Sequence, residues 1–270
     1  MEWHQAIKEL TPYAVRIATP QGSGTGWLVS RSSTTELCGI ATAAHVIDHA
    51  HYWDEPIRVF HPSSGKSVVL RPADRSVHLE ANLDSPAIVF SLAHLPLPET
   101  VPALVGKTKF IKPGVEVGWL GFPALPAADL CFFSGRVSAY LHEMSPYLVD
   151  GVVINGVSGG PAFYLRCDST LVMGIVSAYI PNRVTGGILP GVAVVRDATE
   201  FHDLAECFRS FDDAKSQESR PAEAPPPAES TGPGPATSSQ RWVPYVAAAD
   251  DGQSRAGPQR QPVRCNQRNL

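Results

Sequence analysis

Residues 154–161 read Ile154-Asn155-Gly156-Val157-Ser158-Gly159-Gly160-Pro161, one serine among three glycines with a closing proline. Glycine allows positive φ and close backbone approach, so such a stretch holds a serine on a tight turn with neighbouring N–H groups aimed into a shared space. That arrangement suits a nucleophile, Ser158, beside an anion-binding pair formed by the N–H groups of Gly156 and Ser158. A plain Gly-Ser turn is the competing reading, because both residues punctuate many loops. Residues upstream weigh against it.

A serine nucleophile needs a base, and Thr42-Ala43-Ala44-His45-Val46-Ile47 follows the apolar run 39–42 with a histidine. A buried carboxylate should orient that imidazole, and Asp84 precedes the apolar segment Pro86-Ala87-Ile88-Val89-Phe90. Asp48 and Asp54 lie too near His45 in sequence, and Asp74 sits in a polar turn with no apolar run behind it.

His45, Asp84 and Ser158, in that chain order, resemble the trypsin-like, chymotrypsin-fold serine peptidases. The matching pieces are Thr42-Ala43-Ala44-His45, Gly156-Val157-Ser158-Gly159-Gly160-Pro161 and Gly174-Ile175-Val176-Ser177. Within that family the chain is most similar to the bacterial HtrA-type branch, through Gly24-Thr25-Gly26-Trp27-Leu28-Val29, Asp150, and Gly191-Val192-Ala193-Val194-Val195 before a last helix. The likeness covers about residues 13–211, and a proline-rich tail stands where those relatives usually carry a PDZ domain. At the Asp motif, Ser85-Pro86 replaces the usual hydrophobic-alanine pair. The resemblance implies a cleft between two barrels, with His45 and Asp84 from the first and Ser158 from the second. It also implies a substrate pocket built from Val152, Val153, Ser177, Ala178 and Tyr179. With no acid at Val152 or Val153, the expected preference before the scissile bond is for small to medium apolar residues rather than Arg or Lys.

The strand pattern agrees with an all-β class of two antiparallel six-stranded barrels. Residues 13–18 alternate as a half-buried strand should, a glycine-rich turn at 21–26 leads to 27–30, and β-like runs follow at 57–60, 67–70, 77–79 and 88–91. A connector then reaches residue 113, and runs at 115–120, 130–137, 147–154, 161–165, 171–180 and 192–195 supply the second barrel. The barrels span about 12–95 and 113–200, and residues 1–10 suit a short amphipathic helix. Asp197-Ala198-Thr199-Glu200 resembles a capping box opening a C-terminal helix over about 198–211, which closes the peptidase domain, 1–211.

From residue 212 to 270 the composition turns to Pro, Ser, Ala and Gly, with prolines at 221, 225, 226, 227, 233, 235, 244, 258 and 262. Such a segment buries too little apolar surface to offset its chain entropy and is expected to be disordered. Arg241-Trp242-Val243-Pro244-Tyr245-Val246 is an aromatic island within it. Two readings of that island stand: a chance cluster, or a segment docking on a partner protein or in the cleft.

Charge excludes some classes. With 22 basic and 26 acidic residues the net charge is −4, so neither nucleic acid nor an anionic membrane is an expected partner. The start Met1-Glu2-Trp3-His4-Gln5 lacks signal-peptide character and no long apolar run occurs, which points to a cytoplasmic protein. Five scattered cysteines fit reduced thiols better than a disulfide framework or a zinc site, and no metal or other cofactor is expected. Two functions follow: a serine endopeptidase acting on protein or peptide substrates, or an inactive peptide-binding module on the same scaffold.

Overall fold

The computed structural model describes residues 2–79, 84–92, 95–126, 129–142, 146–181 and 188–218, and of 178–181 and 188–190 the backbone alone. Helix α1 (Trp3–Leu10) leads into strands β1 (Ala14–Thr19), β2 (Gly22–Arg31) and β3 (Leu37–Ala41), helix α2 (Ala44–Tyr52), and strands β4 (Ile57–His61), β5 (Lys66–Leu70), β6 (Arg75–His78) and β7 (Ala87–Ser91). Beyond the connector come β8 (Glu116–Gly121), β9 (Cys131–Tyr140), β10 (Pro146–Asp150), β11 (Pro161–Arg166), β12 (Ser169–Pro181), β13 (Ile188–Asp197) and helix α3 (Thr199–Glu218).

The second half closes as expected, in the order β10-β13-β12-β11-β8-β9. Its register slips between Leu148 and Val149, Ala162 and Phe163, and Val176 and Ala178 supply the bends that closure requires. The first half differs from the expected closed six-stranded barrel. It is a seven-stranded sheet in the order β5-β4-β1-β2-β3-β7-β6, and no ladder joins its outer strands among the described residues. A side chain spans that seam. The Arg75 guanidinium donates to Leu70 O at 2.7 Å and to Ala50 O and Glu55 O at 2.8 Å, tying the start of β6 to the end of β5 and to α2.

A further difference lies at residues 21–26, where a turn was expected. Gly22 to Gly26 belong to β2 and pair with β1 from Thr19↔Gly22 to Val15↔Gly26. Two of these glycines serve close approach: a Cβ at Gly24 would lie 2.6 Å from Val46 Cγ2, and one at Gly26 2.7 Å from Ile17 Cδ1.

Two apolar clusters hold the halves. The inside of the barrel packs Val117, Trp119, Val137, Tyr147, Val149 and Val195. The larger cluster joins the first sheet and all three helices to Leu120, Phe163, Val172 and Ile175 of the second half. Phe201 of α3 sits edge-on to Trp27 at 5.7 Å, both fully buried, each side chain contributing about 1.5–3 kcal/mol by burial. Helix α1 clips onto both halves, with Ala6 and Leu10 buried and Trp3 against Phe132 and Phe163 at 5.4 and 5.8 Å.

Helix α3 begins where Asp197 Oδ1 accepts the Thr199 N–H at 3.0 Å, and it continues past residue 211 to Glu218. Asp212 explains the extension, because its carboxylate accepts from the Ser32, Ser33 and Thr34 hydroxyls and the Ser33 N–H. The proline-rich stretch and its aromatic island, 219–270, lie outside the described residues. Among the described residues no helix is long and apolar enough to cross a membrane.

Candidate active site

β3 ends at Ala41, and after Thr42 and Ala43 the chain turns into α2, placing His45 in the first turn of that helix. The N-cap, Ala43, offers no side-chain oxygen, and Asp84 supplies one from the segment before β7. Its Oδ1 accepts the His45 backbone N–H at 3.2 Å and its Oδ2 accepts the ring Nδ1–H at 3.2 Å. A carboxylate at a helix N-terminus is favoured by the helix dipole. With Nδ1 donating to Asp84, the ring in its neutral form presents an unprotonated Nε2.

Ser177 completes this group. β12 carries an extra residue against β13 at Ser177, since Val176 pairs with Val195 and Ala178 with Val194. A bulge re-aims the side chain it contains, and the buried Ser177 hydroxyl donates to Asp84 Oδ2. Burial alone would push the Asp84 carboxyl up, but the hydrogen bonds from His45 and Ser177 outweigh it and hold the group below the ordinary carboxylate range. The Asp84 hydrogen bond raises the His45 imidazole above its usual 6.5, against the opposing effect of burial. Asp48, one turn along α2, makes no hydrogen bond to the imidazole; burial and the nearby Asp84 charge raise its carboxyl.

The serine segment consists of two successive tight turns. Val157 N–H donates to Ile154 O at 3.2 Å and Gly160 N–H to Val157 O at 3.0 Å. Gly156 at φ +90° and Gly159 at φ +86° occupy the third position of each turn, where a type II geometry demands positive φ. At Gly159 space is also exhausted: a Cβ would lie 2.1 Å from Thr25 O. Gly159 N–H donates to Val176 O at 2.7 Å, and Ser158 O accepts Thr25 N–H at 2.8 Å, so strands from both halves hold the segment. Among the described residues the N–H groups of Gly156 and Ser158 donate no hydrogen bond.

His45, Gly156, Ser158 and Ser177 line one cleft of about 620 Å³, together with Val46 and His49 of α2. No hydrogen bond joins His45 to the Ser158 hydroxyl; such pairs are often loose before substrate binds. Val152 is 56% exposed and Val153 packs against the barrel interior, so neither expected pocket residue is among those lining the cleft. Ala178 and Tyr179 pair with Val194 and Ala193 through their backbones, and their side chains lie outside what is described. Sequence reasoning missed the roles of Thr25 and Thr42. The buried Thr42 hydroxyl donates to Thr25 O at 2.7 Å, linking the histidine segment to β2. The signal available was a hydroxyl residue between two glycines, Gly24-Thr25-Gly26.

No protein-family model matches the chain, and no curated protein does. Solved structures do. The inactive form of Rv3671c from M. tuberculosis, with a serine replaced by alanine, aligns at TM-score 0.51 and 17% identity, over 81% of this chain and 93% of that one. Deg5 aligns at 0.50 and 17%, over 66% and 87%. The serine endoprotease from Yersinia pestis aligns at 0.55 and 17%, over 77% and 66%. At such identities the likeness concerns the backbone, and by that measure the chain has the trypsin-like fold of these serine proteases.

Proposed function

We propose that this chain is a serine endopeptidase that cleaves peptide bonds through an acyl-enzyme. Ser158 Oγ attacks the scissile carbonyl while His45 Nε2 takes its proton, and the Gly156 and Ser158 N–H groups bind the oxyanion that forms. His45 then returns the proton to the leaving amine. Water repeats the sequence on the ester, and Asp84 holds the imidazole oriented and stabilises its charged form.

The observation that carries this reading is the shared cleft of His45 and Ser158, with the ring already oriented through Nδ1 by Asp84. The preference for small to medium apolar residues before the scissile bond rests on the absence of a carboxylate among the described residues that line the cleft. A peptide library varied at that one residue checks it, and a preference for Arg or Lys overturns it.

A peptide-binding module without turnover is the second reading, favoured by the missing His45–Ser158 hydrogen bond. A fluorophosphonate probe separates the two. Covalent labelling abolished by Ser158→Ala is expected of the peptidase; no labelling of the wild type at any pH from 6 to 9 sinks it.

A further inference from the structure

The Thr25 side chain is fully buried at the meeting point of the two halves. Its hydroxyl donates to Gly156 O at 2.8 Å and accepts the Phe122 N–H, just after β8, at 2.9 Å. Its own N–H donates to Ser158 O at 2.8 Å, and its carbonyl accepts the Thr42 hydroxyl at 2.7 Å. One residue of β2 therefore touches the serine turn twice, the histidine segment once and the residue following β8 once.

Gly156 is the weak point of the anion site. A glycine peptide rotates easily, and a flip of the Asn155–Gly156 unit would turn a carbonyl oxygen where an N–H is needed. Two bonds oppose it. Ala124 N–H holds Asn155 O at 2.7 Å, and since C=O and N–H of a trans peptide point in opposite directions, the Gly156 N–H is aimed away from Ala124. The Thr25 hydroxyl fixes the next peptide through Gly156 O. The Asn155–Gly156 peptide and the one after it are thus each held by a hydrogen bond, the second of them, from Thr25, buried between the two halves.

We propose that Thr25 is a positioning residue whose hydroxyl keeps the Gly156 turn in the anion-binding conformation before substrate arrives. This rests on the reading of Ser158 as nucleophile. The hydroxyl touches no reacting atom and acts only through Gly156.

The test is a series at one position, Thr25→Ser, Thr25→Cys and Thr25→Val, measured on the full chain. Valine matches threonine in shape but leaves Gly156 O and the Phe122 N–H without a partner. The expected result for Thr25→Val is a kcat about 100-fold lower, comparable to losing one oxyanion donor. KM should stay within about threefold and the acid limb of the pH profile should not move, since His45 and Asp84 are untouched. Serine should recover most of kcat, and cysteine, a weak donor, should fall between.

Amide hydrogen exchange over residues 154–160 gives a readout independent of turnover: faster in Thr25→Val, at the wild-type rate in Thr25→Ser. A folded Thr25→Val with kcat within about threefold of wild type, or unchanged exchange, overturns the proposal. If Thr25→Val does not fold, the cysteine variant carries both comparisons. If the wild type never labels with fluorophosphonate, the peptidase reading fails, and the exchange series still decides whether Thr25 holds the turn.

Discussion

On the side of the first sheet the cleft is furnished by a side chain, the half-exposed His45 ring, held from behind by the Asp84 carboxylate. On the barrel side it is furnished by backbone, two glycine turns carrying bare N–H groups and one serine. Charge and protonation therefore belong to the first side, and geometric intolerance to the second. Substitutions on one side should move pH profiles, and on the other they should move stability and kcat with the profile unchanged.

The largest effect should come where both sides must act together. Ser158→Ala and His45→Ala are each expected to lower kcat by about 10⁴–10⁶-fold, and the double variant no further, because the pair works as a unit. Active-site titration and single-turnover rates check this; additive losses would mean that the two residues do not share one step.

Asp84→Asn comes next, with kcat about 10⁴-fold lower. The sign of its pH effect is fixed by the observed pairing. Asp84 raises the His45 imidazole above 6.5, so wild-type activity should climb with pH through a midpoint above that value. Removing the carboxylate lowers the imidazole, and the residual activity should climb at lower pH. A limb that stays in place would show that Asp84 does not set the titration.

Gly159→Ala probes the backbone side. A Cβ at φ +86° and 2.1 Å from Thr25 O forces either the turn or β2 to move. The expected loss is about 2–4 kcal/mol of stability, read from a denaturant midpoint. A fully stable Gly159→Ala would mean that the serine side is softer than its contacts imply.

Much of this was legible in the chain. Alternating apolar residues located most strands, and glycines around Ser158 announced positive φ because few other residues take it. The misread glycines are instructive. At Gly24 and Gly26 the same residue type serves a strand, and the cause lies in Ile17, Ile40 and Val46, which local composition does not bring together. Thr25 escaped for the same reason, its partners Gly156 and Phe122 lying 131 and 97 residues away. The open seam of the first sheet depends on where one arginine reaches, and the end of α3 on Asp212 meeting hydroxyls 178–180 residues earlier.

The smallest effect belongs to that helix anchor, remote from both sides of the cleft. Asp212→Ala should lower stability by about 1 kcal/mol after solvent screening, leaving turnover intact. The burial effect on its carboxyl is outweighed by the hydrogen bonds from Ser32 and Ser33, which hold it below the ordinary range. Its contribution is therefore present above the unfolded carboxylate value and disappears as pH falls through the folded one. Melting curves of wild type and variant should converge in acid; curves that stay equally spaced would locate the stabilisation elsewhere.

Val46, directly after the catalytic candidate His45, rests over Gly24 so closely that no side chain fits between them. The histidine segment is thus fastened to β2 by an apolar contact and by the Thr42–Thr25 hydrogen bond, with no covalent cross-link. None of the described cysteines lines the cleft, and burial pushes the Cys38 thiol in β3 up to about 12, where no reactive thiolate forms near neutrality. The alignment of His45 and Ser158 is consequently expected to be indifferent to redox potential: strong reductants and mild oxidants alike should leave the site assembled.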